Sequence, residues 1–194
     1  MPKRVIGVSS RLIAVAQKEF LEKGFTNAVI KDIASKADTS PRAIYTRFEN
    51  KEDLFCKVVG PVVDSFMVMF HADKENYWKQ ETGTINSSAS YYINYLEFAY
   101  KNKDIFHILL EKSEGTKYEN FTHMLAEEDI SYVVKNVPSY YGKQGNKALE
   151  LFVRQITYSF YDSIFIPFIK GYSLDEAREY VEIMVDFYTK GLIA

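Results

Sequence analysis

Residues 31–51 read KDIASKADTSPRAIYTRFENK, from Lys31 to Lys51, and this stretch decides the fold. It divides into two short helices and a tight turn. The first helix carries Ile33, Ala34 and Ala37 on one inner side, and the turn is Ala37-Asp38-Thr39-Ser40. Ser40 is suited to cap the second helix, because its hydroxyl can accept a free first-turn N–H. Pro41 fits the first helical position, where its missing N–H costs nothing. Ile44 and Phe48 then face inward at i, i+4, which leaves Arg42, Ala43, Tyr45, Thr46 and Arg47 on the other sides. Two arginines, a tyrosine and a threonine beside a small alanine form a donor set for phosphates and groove edges. The pattern predicts a helix-turn-helix whose recognition helix spans about Ser40 to Phe48.

The flanks agree with that reading. Leu12, Ile13, Ala16, Phe20 and Leu21 repeat at helical spacing over about 9–23, and Gly24-Phe25 supplies a glycine stop with an apolar residue behind it. Ahead of this helix, Lys3 and Arg4 lie on a short arm placed to touch phosphate. The whole chain has a net charge of −2, yet the charge is divided unevenly. Residues 1–57 hold 11 Lys/Arg against 7 Asp/Glu, a surplus of +4, and the remainder holds 13 against 19, or −6. A positive front on an acidic body turns one face towards polyanions.

In order, LIAVAQKEFLEKGF (12–25) and IKDIASKADTSPRAIYTRFENKEDLF (30–55) resemble the N-terminal domain of TetR-like (tetracycline-repressor-like) transcriptional regulators. The resemblance rests on F-x-x-K-G-F, D-I-A, S-x-x-x-x-Y-x-x-F and N-K-E-D-L-F, and covers about residues 9–56. It implies that Lys31, Ser40, Arg42, Ala43, Tyr45, Thr46, Arg47 and Lys51 face DNA. Tyr45 would reach a backbone phosphate with its hydroxyl, and Lys51 would meet the same strand at the start of the fourth helix. Two positions depart from the family pattern. Ala28-Val29 stands where Ser or Thr usually caps the second helix, leaving Asn27 or Thr26 to do so. Asp38 replaces the usual turn glycine, and Asp tolerates a left-handed backbone better than most residues.

Beyond residue 57 the apolar periodicity predicts further helices. The fourth begins at Asn50-Lys51 and carries Leu54, Phe55, Val58, Val59, Val62, Phe66 and Phe70 to about His71. Pro61, after Gly60, predicts a kink there, because proline removes a hydrogen bond and crowds the preceding turn. Residues 72–88 turn polar and read as the end of that helix plus a loop. Further helices follow at about 88–102, 104–112, 118–136, 146–169 and 174–191, the last opened by a Ser173/Glu176 capping box. The expected class is all-α with about nine helices: a helix-turn-helix domain at 1–57 and a helical effector-binding and dimerisation domain at 58–194.

Other chemistry finds little support. The sequence lacks G-x-S-x-G, H-E-x-x-H and Walker signatures, and His71, His107 and His123 do not have metal-ligand spacing. Cys56 is the only cysteine, so intrachain disulfides and cysteine-rich zinc sites are ruled out. No cofactor or metal is expected, and no enzyme activity. The basic N-terminus has no signal-peptide core, and no apolar run reaches the roughly 18 residues of a membrane span. A cytoplasmic protein without membrane contact is therefore expected.

Aromatic residues make up 15% of the chain, good material for pocket walls as well as for core. The resemblance places an effector cavity among the fourth to eighth helices. The candidate lining there is Tyr95, Phe98, Phe106, Phe121, Tyr158 and Asp162, with Asn94 or His107 as polar anchor. It further implies a homodimer through the last two long helices, with double-stranded DNA and a small-molecule effector as partners. The expected function is a DNA-binding repressor released from a palindromic operator. The alternative is a helical ligand-binding or interaction module that no longer binds DNA.

Overall fold

A computed structural model of the chain describes residues 6–79, 89–136 and 147–193. Among the described residues the structure contains nine α-helices and no strand. They are α1 (Ile6–Asn27), α2 (Ile30–Lys36), α3 (Pro41–Tyr45), α4 (Lys51–Lys79), α5 (Ala89–Lys101), α6 (Lys103–Glu111), α7 (Phe121–Asn136), α8 (Lys147–Ile169) and α9 (Leu174–Ile193). The predicted arm with Lys3 and Arg4 and the loop at 140–145 lie outside the described residues.

The chain divides into two compact units, 1–65 with 102–119 and 66–101 with 120–194. Helix α6 and the turn after it therefore belong with the helix-turn-helix, a grouping that no local pattern announces. In this first unit the buried side chains of Leu12, Ala16, Phe20, Ile33, Ala34, Ile44, Leu54, Phe55 and Val59 form the core. Phe20, Phe25 and Phe55 pack with ring centroids 5.1–6.1 Å apart. Gly24 has φ 75 and interrupts the helical backbone of α1 as the sequence implied, since that backbone is strained for any residue with a Cβ. Phe25 N–H then donates to the Lys112 carbonyl at 2.8 Å, and Thr26 Oγ1 to the Glu114 carbonyl at 3.1 Å.

Helix α4 differs from its expected end. It runs to Lys79 rather than His71, because Ala72, Lys74 and Glu75 are good helix formers and the next glycine after Gly60 comes only at Gly83. The Phe66, Phe70 stripe continues into Lys74, whose stem is buried although its sequence context reads as loop. Pro61 lies inside this one helix without ending it, and Ser65 Oγ donates to its carbonyl at 2.8 Å. The stretch Lys51–Asn76 is long and apolar enough by composition to cross a membrane. Its Leu54, Phe55, Val59, Phe66 and Phe70 are nevertheless fully buried within the protein.

In the second unit α9 packs against α5 and α8, and α7 against α8. Its centre is aromatic: Phe66 lies 5.4 Å from Tyr95, 5.5 Å from Phe98 and 5.8 Å from Phe121, centroid to centroid. The capping box of α9 forms as predicted, with Ser173 N–H donating to Glu176 Oε2 at 2.8 Å and Glu176 N–H to Ser173 Oγ at 3.3 Å.

Candidate nucleic-acid interface

The turn before α3 is built by a short-range hydrogen-bond pattern. Thr39 N–H donates to the Ala34 carbonyl at 2.9 Å and Asp38 N–H to the Ser35 carbonyl at 3.2 Å. This pairing closes the end of α2 around a left-handed residue. That residue is Asp38, at φ 49, so the substitution for glycine is accommodated as expected. Its carboxylate pairs with Arg11 of α1. Ser40 then caps α3, accepting from Ala43 N–H at 3.2 Å, with Pro41 in the first turn. The cap at α2 turns out otherwise. Val29 takes the N-cap position with no side-chain hydrogen bond, while Thr26 binds Glu114 and Asn27 Nδ2 donates to the Lys23 carbonyl at 3.2 Å. Neither candidate caps this helix.

Recognition helix α3 is shorter than expected, ending at Tyr45. Two side chains converge on the Ala43 carbonyl, Thr46 Oγ1 at 2.8 Å and Arg47 Nη1 at 2.7 Å. Backbone bonds from Arg47 and Phe48 N–H, 2.9 and 3.0 Å, instead go to the Ile44 carbonyl. The last turn is thereby tightened, and Phe48 still reaches the core. Ile44 is fully buried below, while Tyr45 is 54% exposed above. Lys31, Ser40, Arg42, Thr46 and Arg47 are exposed, and Ala43 is half-buried. Among the described residues the side chains of Lys31, Arg42 and Tyr45 have no protein partner, so nothing holds their donors back from a polyanion.

Lys51 requires a correction. Its ammonium donates to the carbonyls of Phe25 (2.7 Å), Thr26 (3.2 Å) and Ala28 (3.1 Å). It also lies 4.4 Å from the centre of the Phe25 ring. All three N–H donors are used inside the protein, and burial pulls the pKa below the ordinary lysine value. Lys51 ties α4 to the end of α1, and its side chain has no donor left for DNA. The start of α4 is capped by Asn50 Oδ1, which accepts from Asp53 N–H at 2.8 Å.

A second tie, which the sequence did not reveal, holds α1 to α2. Glu19 is fully buried, with Oε1 2.5 Å from Lys23 Nζ and Oε2 paired with Lys36. Burial alone would raise its carboxyl, but the hydrogen bonds and charges of Lys23 and Lys36 outweigh that and lower it. Lys23 also reaches Asp32 at 3.0 Å. Ion pairs thus tie α1 to α2 and to the turn that precedes α3.

The candidate effector residues do not converge on one place. Tyr95, Phe98 and Phe121 gather around Phe66, whereas Phe106 and His107 belong to the first unit. His107 Nδ1 lies 2.6 Å from Glu111 Oε2. Asn94 is exposed. Tyr158 and Asp162 join an α7–α8 network: Tyr158 stacks on His123 with centroids 4.5 Å apart and donates to Glu127. Asp162 accepts from Thr122 Oγ1 at 2.5 Å and approaches His123 Nε2 at 3.3 Å. What the sequence reading missed is a buried polar group deeper in the second unit. Lys74 Nζ lies 2.7 Å from Asp129 Oδ1, and Tyr161 donates to Asp129 Oδ2 at 3.0 Å. Lys74 went unnoticed because its KEN context reads as loop; its i+4 spacing from Phe70 was the available signal.

Residues 12–58 match the family described as bacterial regulatory proteins, tetR family. No curated protein matches the chain in sequence. Among solved structures, a transcriptional regulator (TerR/AcrR family) of Aquifex aeolicus VF5 is similar, with 19% identity and a TM-score of 0.60 over 94% of this chain and 99% of that one. The Bacillus subtilis transcriptional regulator FadR, solved in complex with stearoyl-CoA, is 17% identical with a TM-score of 0.56, over 91% of this chain and 97% of that one. At such identities the likeness concerns the fold.

Proposed function

We propose that this chain is a TetR-family DNA-binding transcriptional regulator, a homodimeric repressor released from a palindromic operator by a small-molecule effector. The single observation carrying the DNA-binding side is the exposed α3 face, where Arg42 and Tyr45 stand free over a buried Ile44. The proposed DNA contacts further include Lys31 on α2, Ser40 and Ala43, and Thr46 and Arg47 just after α3. An arginine can reach guanine edges bidentately or hold a phosphate, and a tyrosine hydroxyl can donate to phosphate.

Dimerisation is supported by apolar residues left exposed on α8 and α9. Phe152 and Ile166 are 55% and 41% exposed on α8, and Ile183 and Phe187 are 64% and 72% exposed on α9. Neighbouring faces of this kind suit a second copy of the same chain, and a two-fold dimer sets two recognition helices on a palindrome. The effector would occupy the second unit and favour a conformer whose recognition helices are set too far apart for the operator. It can shift that equilibrium only through its differential affinity for the two states. The fatty acyl ligand of the Bacillus regulator supports an effector in this kind of fold. The reading places the protein in the cytoplasm, with no catalytic role.

Gel-shift assays against the DNA upstream of the protein's own gene test the proposal. Wild-type protein retards the fragment, and Arg42→Ala and Tyr45→Ala weaken binding at least tenfold while leaving the fold intact by circular dichroism. Binding by neither wild type nor variants at low salt would refute it.

A further inference from the structure

The aromatic core of the second unit holds a buried lysine. Lys74 is 7% exposed and lies 2.7 Å from Asp129. Its ammonium is ringed by Phe70, Tyr92 and Tyr161, at 5.4, 5.6 and 5.7 Å from the ring centres. Asp129 is completed by the Tyr161 hydroxyl. These four groups show that this core can hold an ammonium by carboxylate and aromatic faces together, using the chain's own lysine.

Two polar atoms beside this arrangement remain unmatched. The Tyr95 hydroxyl and Asp73 Oδ2 are buried without a hydrogen-bond partner among the described residues, and Tyr95 is fully buried. Desolvation raises the Tyr95 hydroxyl, and among charged groups Asp73 contributes most to that rise. Burial also raises the Asp73 carboxyl, with Lys74 pulling the other way. An unpaired buried acceptor of this kind costs free energy, and a hydrogen-bond donor brought to it offsets that cost.

The charge balance selects the sign of that donor. Lys74 is already matched by Asp129, so the unanswered charge is that of Asp73. A carboxylate ligand would face Asp73 and Asp129 with the Lys74 ammonium already engaged. An organic ammonium would meet a free carboxylate oxygen, the Tyr95 oxygen and the aromatic rings around Phe66 and Phe70. We propose that the effector is a lipophilic organic cation, its charged nitrogen held by Asp73 and Tyr95 and its apolar body among the aromatic residues of α4 and α5. This rests on reading the second unit as the effector-binding body, and it names the chemical class that body takes.

The test uses one scaffold in three charge states, titrated calorimetrically into the full-length protein: 4-phenylbutylammonium, 4-phenylbutanol and 4-phenylbutanoate. The ammonium is expected to bind at least tenfold more tightly than the alcohol, with the carboxylate weaker than both. Asp73→Asn should reduce the ammonium's advantage over the alcohol to under twofold. Tyr95→Phe should weaken the ammonium about threefold, and it provides an independent reading should Asp73→Asn disturb folding. Equal affinity for ammonium and alcohol, preference for the carboxylate, no binding by any of the three, or an ammonium preference that survives both substitutions would overturn the proposal. DNA binding measured on the same samples separates the two readings. Operator binding by the protein before any compound is added, without cation preference, refutes only this inference, whereas absence of operator binding before any compound is added refutes the regulator reading.

Discussion

The Lys51 ammonium lies 2.7 Å from the Phe25 carbonyl oxygen and 4.4 Å from the centre of the same residue's ring. One side chain thus closes the carbonyl end of α1 and covers the aromatic residue that follows its glycine stop. Hydrogen bonds to a charged donor are worth about 1.5–3 kcal/mol, and a buried carbonyl left unpaired is costly. Lys51→Met is therefore expected to destabilise the protein by about 2–3 kcal/mol in urea unfolding. At temperatures where the variant is still folded, its operator affinity should fall far less than that of Arg42→Ala. A loss of affinity equal to that of Arg42→Ala with unchanged stability would return Lys51 to the DNA interface.

Glu19 provides a pH-dependent prediction. Its carboxyl is held below the ordinary value of 4.5 because Lys23 and Lys36 outweigh the burial penalty. The folded state therefore binds this proton less readily than the unfolded chain. The stabilisation is complete above pH 4.5 and disappears as pH falls through the depressed folded value. Both lysines are partly exposed, which limits the effect. Glu19→Gln should cost about 1–2 kcal/mol at pH 7. The gap to wild type should stay constant from pH 7 to pH 5 and narrow below pH 4.5, followed by urea midpoints. A gap that widens on acidification would contradict this assignment.

Asp38 stands at φ 49 with an exposed ion pair to Arg11. Exposed pairs contribute little, whereas a left-handed backbone costs an L-residue about 1–2 kcal/mol, less for Asp. Asp38→Gly should leave thermal stability unchanged or raise it by about 0.5 kcal/mol. Asp38→Ala should lower it by about 1 kcal/mol, and Ser40→Ala by a similar amount through loss of the α3 cap. Differential scanning calorimetry orders the three.

Ile183 and Phe187 project from α9 a turn apart, 64% and 72% exposed. Ile183→Glu and Phe187→Glu together should convert a dimer to monomer in sedimentation velocity at micromolar concentration. The same pair should weaken operator binding at least a hundredfold without shifting circular dichroism, because one recognition helix alone holds half a site. A wild-type protein that sediments as a monomer would remove the dimeric part of the proposed function.

The helix-turn-helix was legible from the sequence alone because its determinants are local. Ser40 and Pro41 start α3, Gly24 interrupts α1 and Asp38 accepts the turn; in the second unit Ser173 with Glu176 opens α9 by the same kind of local signal. Each acts within a few residues of chain, so residue type and spacing suffice to specify it. The match of residues 12–58 to the bacterial tetR-family regulatory proteins draws on the same local run. Only the tertiary structure assigned the long-range roles: Lys51 to three carbonyls of the α1–α2 junction, Lys36 to Glu19, α6 to the first unit, and Lys74 to Asp129. A lysine's spacing along a helix tells which side it occupies, not which carbonyl or carboxylate another helix brings there. Where Coulomb and desolvation terms act between residues 17 to 55 positions apart, packing decides the partner, and with it the difference between a DNA contact and an internal tie.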